Sequence, residues 1–377
     1  MLIKFVIVVS LGILIYWAAP KIETDPKLVI KKNTQLKFSS TFKRISWDNS
    51  SRLFVGDFAG PESFTHDPVT GAIYTGAADG KLYILDINDI STTLKSFVRI
   101  MENNLNCESN EFGKACGRIL GLKYVDKDKL IVADAYNGIY AIHLGMDMAT
   151  KQVLVSPDKD MLTRSLKFFN SLDVSKNGII YFTVSSMKWT LDDSLYAFLE
   201  GDSSGRVYSY DLVTRKLHLI AANLSFPNGL SLTQNQTSLV VAELTKGRLL
   251  KINLLKSQDN VEVFVDGLLG TVDNVKRDNQ DNFYVALPTE DSYLLSFIHR
   301  YPLINYYVAW LIPKRFFNIF LKSKSRILKI NNEGEIILEI SGNKVGMDFI
   351  TEAYETNGKI LLGNLFNPYL DVLYLNH

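Results

Sequence analysis

Four short segments of the 377-residue chain place a side-chain oxygen just ahead of an apolar run. They are Gly60-Pro61-Glu62-Ser63, Phe168-Phe169-Asn170-Ser171, Phe226-Pro227-Asn228-Gly229 and Thr271-Val272-Asp273-Asn274. Each reads as a turn leading into a strand, with Pro227 and Gly229 constraining the backbone around Asn228. Taken singly, Asn or Asp in a turn is ordinary, because both cap local backbone groups. Taken together, the carboxylates of Glu62 and Asp273 and the amide oxygens of Asn170, Asn228 and Asn274 form an all-oxygen set. Such a set suits a hard cation such as Ca²⁺, which takes about six to eight oxygen ligands, waters included.

The elements that would have to bring these residues together recur along the chain. The stretch Leu224 to Leu254 contains the strand Ser238 to Ala242, a Lys246-Gly247 turn and an alternating strand after it. Gly71 to Asp86 repeats this pairing around Asp79-Gly80, and Asp128 to Ile142 repeats it around Asn137-Gly138, both strong hairpin signals. Further copies pair Gly178 to Val184 with Gly205 to Leu212, Asn282 to Leu287 with Arg326 to Ile330, and Gly358 to Leu365 with Tyr369 to Leu375. Six such modules without alternating amphipathic helices predict an all-β chain, a six-bladed β-propeller over residues 42–377. A pair of β-sandwiches is the alternative. In a propeller the four segments would meet at the central tunnel. One insertion breaks the rhythm: residues 293–321, in the fifth blade, read as a helical lid or a membrane-contacting segment, the part from Lys314 on carrying apolar residues at helical spacing with basic ends.

Balanced charge, 41 basic against 40 acidic residues, leaves no electrostatic footprint for nucleic acid. The apolar run Phe5 to Ala19, stopped by Pro20, reads as a signal-anchor transmembrane segment over residues 1–20, followed by a stem over 21–41. Tyr16 and Trp17 are poorly suited to the small-residue position of a cleavage site, which favours retention over removal. The two cysteines, Cys107 and Cys116, would be free thiols in a cytosolic chain and a small-loop disulfide in a lumenal one. Sequons at Asn49, Asn223 and Asn235 tilt the expectation to a glycosylated lumenal or extracellular domain.

The motifs G-P-E-S, C-G-R-I-L-G-L, V-A-D-A-Y-N-G-I-Y, F-F-N-S-L-D-V, L-E-G-D-S-S-G-R-V-Y-S-Y-D, F-P-N-G-L-S-L and V-D-N, in that order, resemble those of the strictosidine synthase-like family. A more distant resemblance extends to paraoxonases, gluconolactonases and regucalcin. It implies a single-pass type II membrane protein, with a tunnel Ca²⁺ held by Glu62, Asn170, Asn228 and Asp273 and with Asn274 as a fifth ligand. It also implies a Lewis-acid role for that ion on an ester or lactone carbonyl. The chain departs from the pattern where paraoxonases carry a histidine dyad, offering Leu120 and Ala135. Ser63 and Ser171 stand where acids would hold a second calcium. Strictosidine synthases use a glutamate of the last blade, and Glu352 and Glu355 lie in that region. Asp273 and Glu352 are the candidate catalytic proton carriers, although Glu352 reads first as surface charge. These expectations define a calcium-dependent hydrolase of arylesterase or lactonase type acting on a small-molecule substrate. The competing expectation is a non-enzymatic, membrane-tethered propeller that binds a partner or ligand and uses calcium structurally.

Overall fold

The computed structural model describes residues 26–29, 31, 34–87, 94–99, 116–126, 129–145, 149–158, 165–311 and 322–375. The chain opens with β1 (Phe38–Ser46) and β2 (Ser51–Leu53), whose partners lie at the far end of the sequence. The first blade is β3 (Phe64–His66), β4 (Ile73–Gly76), β5 (Lys81–Leu85) and β6 (Leu94–Arg99). The second is β7 (Ile119–Asp126), β8 (Lys129–Asp134), β9 (Gly138–Leu144) and β10 (Ala149–Val155). The third is β11 (Phe168–Val174), β12 (Ile179–Ser186), β13 (Gly205–Asp211) and β14 (Leu217–Leu224). The fourth is β15 (Pro227–Leu232), β16 (Ser238–Glu243), β17 (Arg248–Asn253) and β18 (Val261–Val265). The fifth is β19 (Val275–Arg277), β20 (Phe283–Glu290), β21 (Lys322–Ile330) and β22 (Ile336–Ser341), and the sixth is β23 (Ile350–Thr356), β24 (Lys359–Asn364) and β25 (Leu370–Tyr374).

The six expected hairpins are the two middle strands of each sheet, so the six-bladed β-propeller is the observed fold. Those strands read as apolar runs because both of their faces are covered by neighbouring blades: every residue of β16 is buried. Outer strands face water on one side, as in β14, where exposed and buried positions intermix. Asn137-Gly138 turns as its chemistry requires, Gly138 standing at φ +111° while Asp134 Oδ1 accepts the N–H groups of Tyr136 and Asn137 at 3.0 and 2.9 Å.

Closure comes from the N-terminal segment. β2 pairs antiparallel with β25, Ser51 opposite Val372, and completes the last blade. β1 adds a parallel fifth strand to the fifth blade, Ile45 opposite Ile340. Residues 38–41, assigned from sequence to the stem, therefore belong to this strand.

The insertion in the fifth blade is helical as expected, with α2 (Tyr293–Arg300) and α3 (Pro302–Leu311) following a helix of the third blade, α1 (Ser194–Glu200). The α1 helix had no expectation from sequence. Its last carbonyls are satisfied by the insertion: His299 Nε2 bonds Phe198 O at 2.9 Å and Asn305 Nδ2 donates to Leu199 O. At the same end, the Glu200 side chain accepts Trp189 Nε1 at 2.7 Å and pairs with Lys188 at 2.9 Å. The three helices form a canopy over one mouth of the tunnel. Among the described residues no helix is long and apolar enough to cross a membrane, and the run Phe5 to Ala19 lies outside them.

Candidate metal centre

Inner strands β3, β7, β11, β15, β19 and β23 pack one against the next around the axis. The sheet pairing shows how the ligand residues are aimed. Phe169 lies opposite Val184 while Leu172 lies opposite Phe182, so Asn170 and Ser171 share a bulge in β11. Pro227 lies opposite Glu243 while Leu230 lies opposite Val241, so Asn228 and Gly229 share the equivalent bulge in β15. Similar irregularities fall at Leu120 and at Thr351, just before Glu352. A bulge adds a residue and re-aims a side chain out of the strand's alternation. Asn170 and Asn228 are thus strand residues at bulges, not turn residues as their sequences suggested. Glu62 and Asp273 sit in the segments entering β3 and β19.

Glycine permits the close approach this requires. A Cβ on Gly229 would run into the backbone of Asn274 and Val275, and one on Gly121 into the backbone of Asn170 and Ser171.

The five expected ligands are all buried and lie along one hydrogen-bonded arc. Asn274 Nδ2 donates to Glu62 Oε1 at 2.9 Å, and the Asn228 side chain bonds the Asp273 carboxylate. Gly229 N donates to Asp273 O at 3.2 Å. Thr183 Oγ1 donates to Asn228 O at 2.7 Å and accepts Ser171 N at 3.0 Å. Asn170 Nδ2 donates to Ser185 Oγ at 3.0 Å, which itself donates to Pro227 O at 2.8 Å.

Where the ligand side chains themselves bond, they use the donor end of an amide or an oxygen of a carboxylate. The other ends are left over: Glu62 Oε2, Asn170 Oδ1, Asn228 Oδ1 and Asn274 Oδ1 are buried without a hydrogen-bond partner. Among the described residues only eleven side-chain polar atoms are in that condition, so four falling on one predicted site marks it out. An unsatisfied buried polar group costs about 1–3 kcal/mol. A hard cation satisfies oxygen acceptors of this type, carboxylate and amide together. The residues present fit a calcium-like ion.

Electrostatics agree. Burial, then the nearby Asp273 and Glu352 charges, push the Glu62 carboxyl well above the usual carboxylate range. Burial, then Glu352, push Asp273 up to about 7. Both shifts run in the direction that burial and neighbouring carboxylates impose, and a bound cation would oppose it.

Glu352 is not surface charge. It is fully buried at the tunnel wall, its Oε2 accepting Ser63 Oγ at 2.6 Å and its Oε1 accepting Phe64 N at 2.7 Å, with Lys276 Nζ 3.4 Å from Oε2. The reading failed because the ammonium that makes burial tolerable is supplied by another blade. Three carboxylates therefore share the tunnel: Lys276 offsets Glu352, the buried Arg118 guanidinium partly offsets Glu62, and Asp273 has no basic group among the causes of its shift.

Above the site, Leu120, Ala135, Phe168 and Phe226 join Trp189, Tyr196, Leu295 and Ile298 in one apolar cluster. The positions of the missing dyad thus form part of the canopy's floor. Among the described histidines, His299 lies in the canopy and His66 lies at the far mouth, bonded to Tyr354 OH at 2.6 Å. That mouth holds a polar cavity of about 500 Å³ lined by His66, Lys123, Asp173, Lys276 and Tyr284.

Fold and site define a six-bladed propeller with a carboxylate and amide cradle in its tunnel. The Strictosidine synthase family model matches residues 170–257, a span that contains both Asn170 and Asn228. Adipocyte plasma membrane-associated protein of Danio rerio is 30% identical over 330 residues, covering 85% of this chain and 77% of the relative. The chain belongs to this strictosidine synthase-like family. Among solved structures, a gluconolactonase from Xanthomonas campestris superposes with a TM-score of 0.57 at 12% identity, covering 95% of this chain and 97% of that one. A calcium-binding protein, regucalcin, from Agrobacterium tumefaciens gives 0.54 at 12% identity, covering 88% and 95%. Both show the fold.

Proposed function

We propose that this protein is a membrane-anchored, calcium-dependent hydrolase of arylesterase or lactonase type, with its propeller in a lumenal or extracellular space. The observation that carries the reading is the set of four partnerless oxygens on Glu62, Asn170, Asn228 and Asn274. With Asp273 they would hold the ion. When bound, calcium supplies Lewis acidity, polarising an ester or lactone carbonyl and balancing the charge that develops on its oxygen.

The chain's own residues do the rest. Asn274 fixes the Glu62 rotamer through Oε1, and Asn228 steadies Asp273. Asp273 is the candidate acceptor for a proton from the attacking water. Glu352, engaged by Ser63, Phe64 and Lys276, anchors the tunnel wall and is displaced from that role. Leu120, Ala135, Phe168 and Phe226 exclude water above the cradle and would receive the apolar part of a substrate.

Supporting the compartment, the sequon residues Asn49, Asn223 and Asn235 are all exposed. A pairing of Cys107 with Cys116 belongs to the same proposal, Cys107 lying outside the described residues, as does the anchor over residues 1–20.

One observation favours a second reading: the canopy closes tightly over the cradle while the polar cavity opens at the other mouth. In that case calcium pins the blades and a ligand binds elsewhere. The full chain, purified in detergent, is expected to carry about one calcium and to hydrolyse phenyl acetate or simple lactones, both lost in Asn228→Ala. Retained calcium with no hydrolysis would leave only the binding reading. No calcium, and an Asn228→Ala chain indistinguishable from wild type, would remove the site.

A further inference from the structure

The outer face of the canopy is apolar where a soluble domain would be polar. On α2, Tyr293 is 98% exposed, and Leu294, Phe297 and Tyr301 beyond its end are exposed beside it. On α3, Leu303 is 78% exposed, with Ile304, Tyr306 and Tyr307. The inner face of the same helices is apolar too, Leu295, Ile298 and Ala309 packing onto the tunnel mouth. Helices apolar on both sides are covered on both sides, and a contiguous patch of this kind marks an interaction surface. Its composition is specific: four tyrosines, with Arg300 exposed at the edge, suit the boundary between headgroups and acyl chains.

The N-terminal segment says what covers it. Lys27 N donates to Glu200 O at 2.6 Å, Val29 N donates to His299 O at 3.2 Å, and Lys31 Nζ bonds Asp291 and, at 3.1 Å, Gly270 O. The described chain thus begins on the canopy itself. The apolar run Phe5 to Ala19 ends only seven residues before Pro26, a reach of at most about 25 Å even fully extended. The far mouth, by contrast, is lined by Asn279, Gln280, Asn357 and charged side chains.

We propose that the exposed face of α2 and α3 rests in the interfacial layer of the same membrane that residues 5–19 enter, so that the cradle's mouth faces the bilayer and the polar mouth faces solvent. This rests on the anchor reading for its orientation, and it narrows the substrate class of the proposed hydrolase to esters or lactones that partition into lipid.

The test uses the full chain reconstituted in phosphatidylcholine and phosphatidylserine vesicles, spin-labelled in turn at Tyr293→Cys, Tyr307→Cys and, as a control, Asn279→Cys. Labels at 293 and 307 are expected to be several-fold less accessible to a water-soluble nickel relaxant than the label at 279, and more accessible to oxygen. Equal nickel accessibility at all three, with the chain retained on vesicles after carbonate washing, would overturn the canopy contact. Release by carbonate would instead refute the anchor, a separate failure. Dipolar broadening between labels on different chains at 293 or 307 would make the face an interface between copies and overturn the membrane reading. Melting each variant in detergent first ensures that the labels report on a folded chain.

Discussion

Asn274 Nδ2 reaches Glu62 Oε1 at 2.9 Å, joining the fifth blade to the first across most of the sequence. The bond leaves Glu62 Oε2 and Asn274 Oδ1 both buried and without partners, so one side chain positions the other while keeping its own oxygen available. Removing the amide removes a ligand and the device that orients a second one. Asn274→Ala is expected to weaken calcium binding by about 10- to 100-fold, the range typical when an orienting partner is lost. Asn274→Asp keeps the oxygen but not the donor and is expected to fall between. Calorimetric titration reads both, and wild-type affinity in Asn274→Ala would exclude this pair from the ion's cradle.

The Lys276 and Glu352 pair, 3.4 Å apart with the carboxylate fully buried, predicts a different outcome. Lys276→Met strands a buried charge, and breaking such a pair from one side costs about 3–5 kcal/mol. Adding Glu352→Gln removes that charge and should recover much of the loss, because Phe64 N keeps an acceptor in the amide oxygen while the Ser63 hydroxyl can rotate to accept from the amide nitrogen. Denaturant unfolding of the single and double variants gives the coupling. Additive losses would mean that Lys276 does not neutralise Glu352.

Calcium removal has a signed pH dependence. Asp273 is raised from 3.8 to about 7, so in the metal-free chain the folded state holds a proton that the unfolded state has released. That contribution is complete below about pH 4 and is lost as pH rises through 7. In chelator, and in the His299→Gln background so that the ring does not titrate, the melting temperature is therefore expected to fall from pH 5 to pH 7. With calcium present the ion replaces the proton, and through Asp273 affinity should rise by about tenfold per pH unit up to about pH 7 and level off above it. A chelated chain whose melting is flat with pH would contradict the burial of Asp273.

Much of this architecture was legible where it is local. Asp79-Gly80 and Asn137-Gly138 announce hairpins because their chemistry matches the turn, and the same hairpins count the blades. The ligand types were legible as well, but not their mounting: a bulge at Asn170 or Asn228 depends on register against the next strand, which no single segment specifies. Closure was hidden for the same reason, since Ser51 finds Val372 across nearly the whole chain. Glu352 misled because Thr-Glu-Ala-Tyr-Glu looks like a strand with one wet face, whereas its neutralising lysine lies on another blade. The helix α1 is short and interrupts a hairpin, so its apolar residues merged with the strands around it.

His299 makes the canopy sensitive to acid in the opposite sense to Asp273. It is buried, bonds the carbonyl of Phe198 through Nε2, and burial lowers its pKa to about 4 from an ordinary 6.5. The neutral ring is therefore part of the folded canopy, while the unfolded ring gains a proton already near pH 6.5. Stability from this group is full above that value and drains away as pH falls towards 4, a difference of about 3 kcal/mol between the two limits. Since α1 ends on His299 and Asn305, the loss should appear as local opening of α1 and α2 while the blades stay folded. Hydrogen exchange of calcium-loaded protein at pH 7 and pH 5 is expected to show faster exchange at Phe198 to Asp202 in acid, after correction for the intrinsic rate. In His299→Gln, whose amide can keep the bond without titrating, that acceleration should disappear, and its persistence would assign the opening to another group.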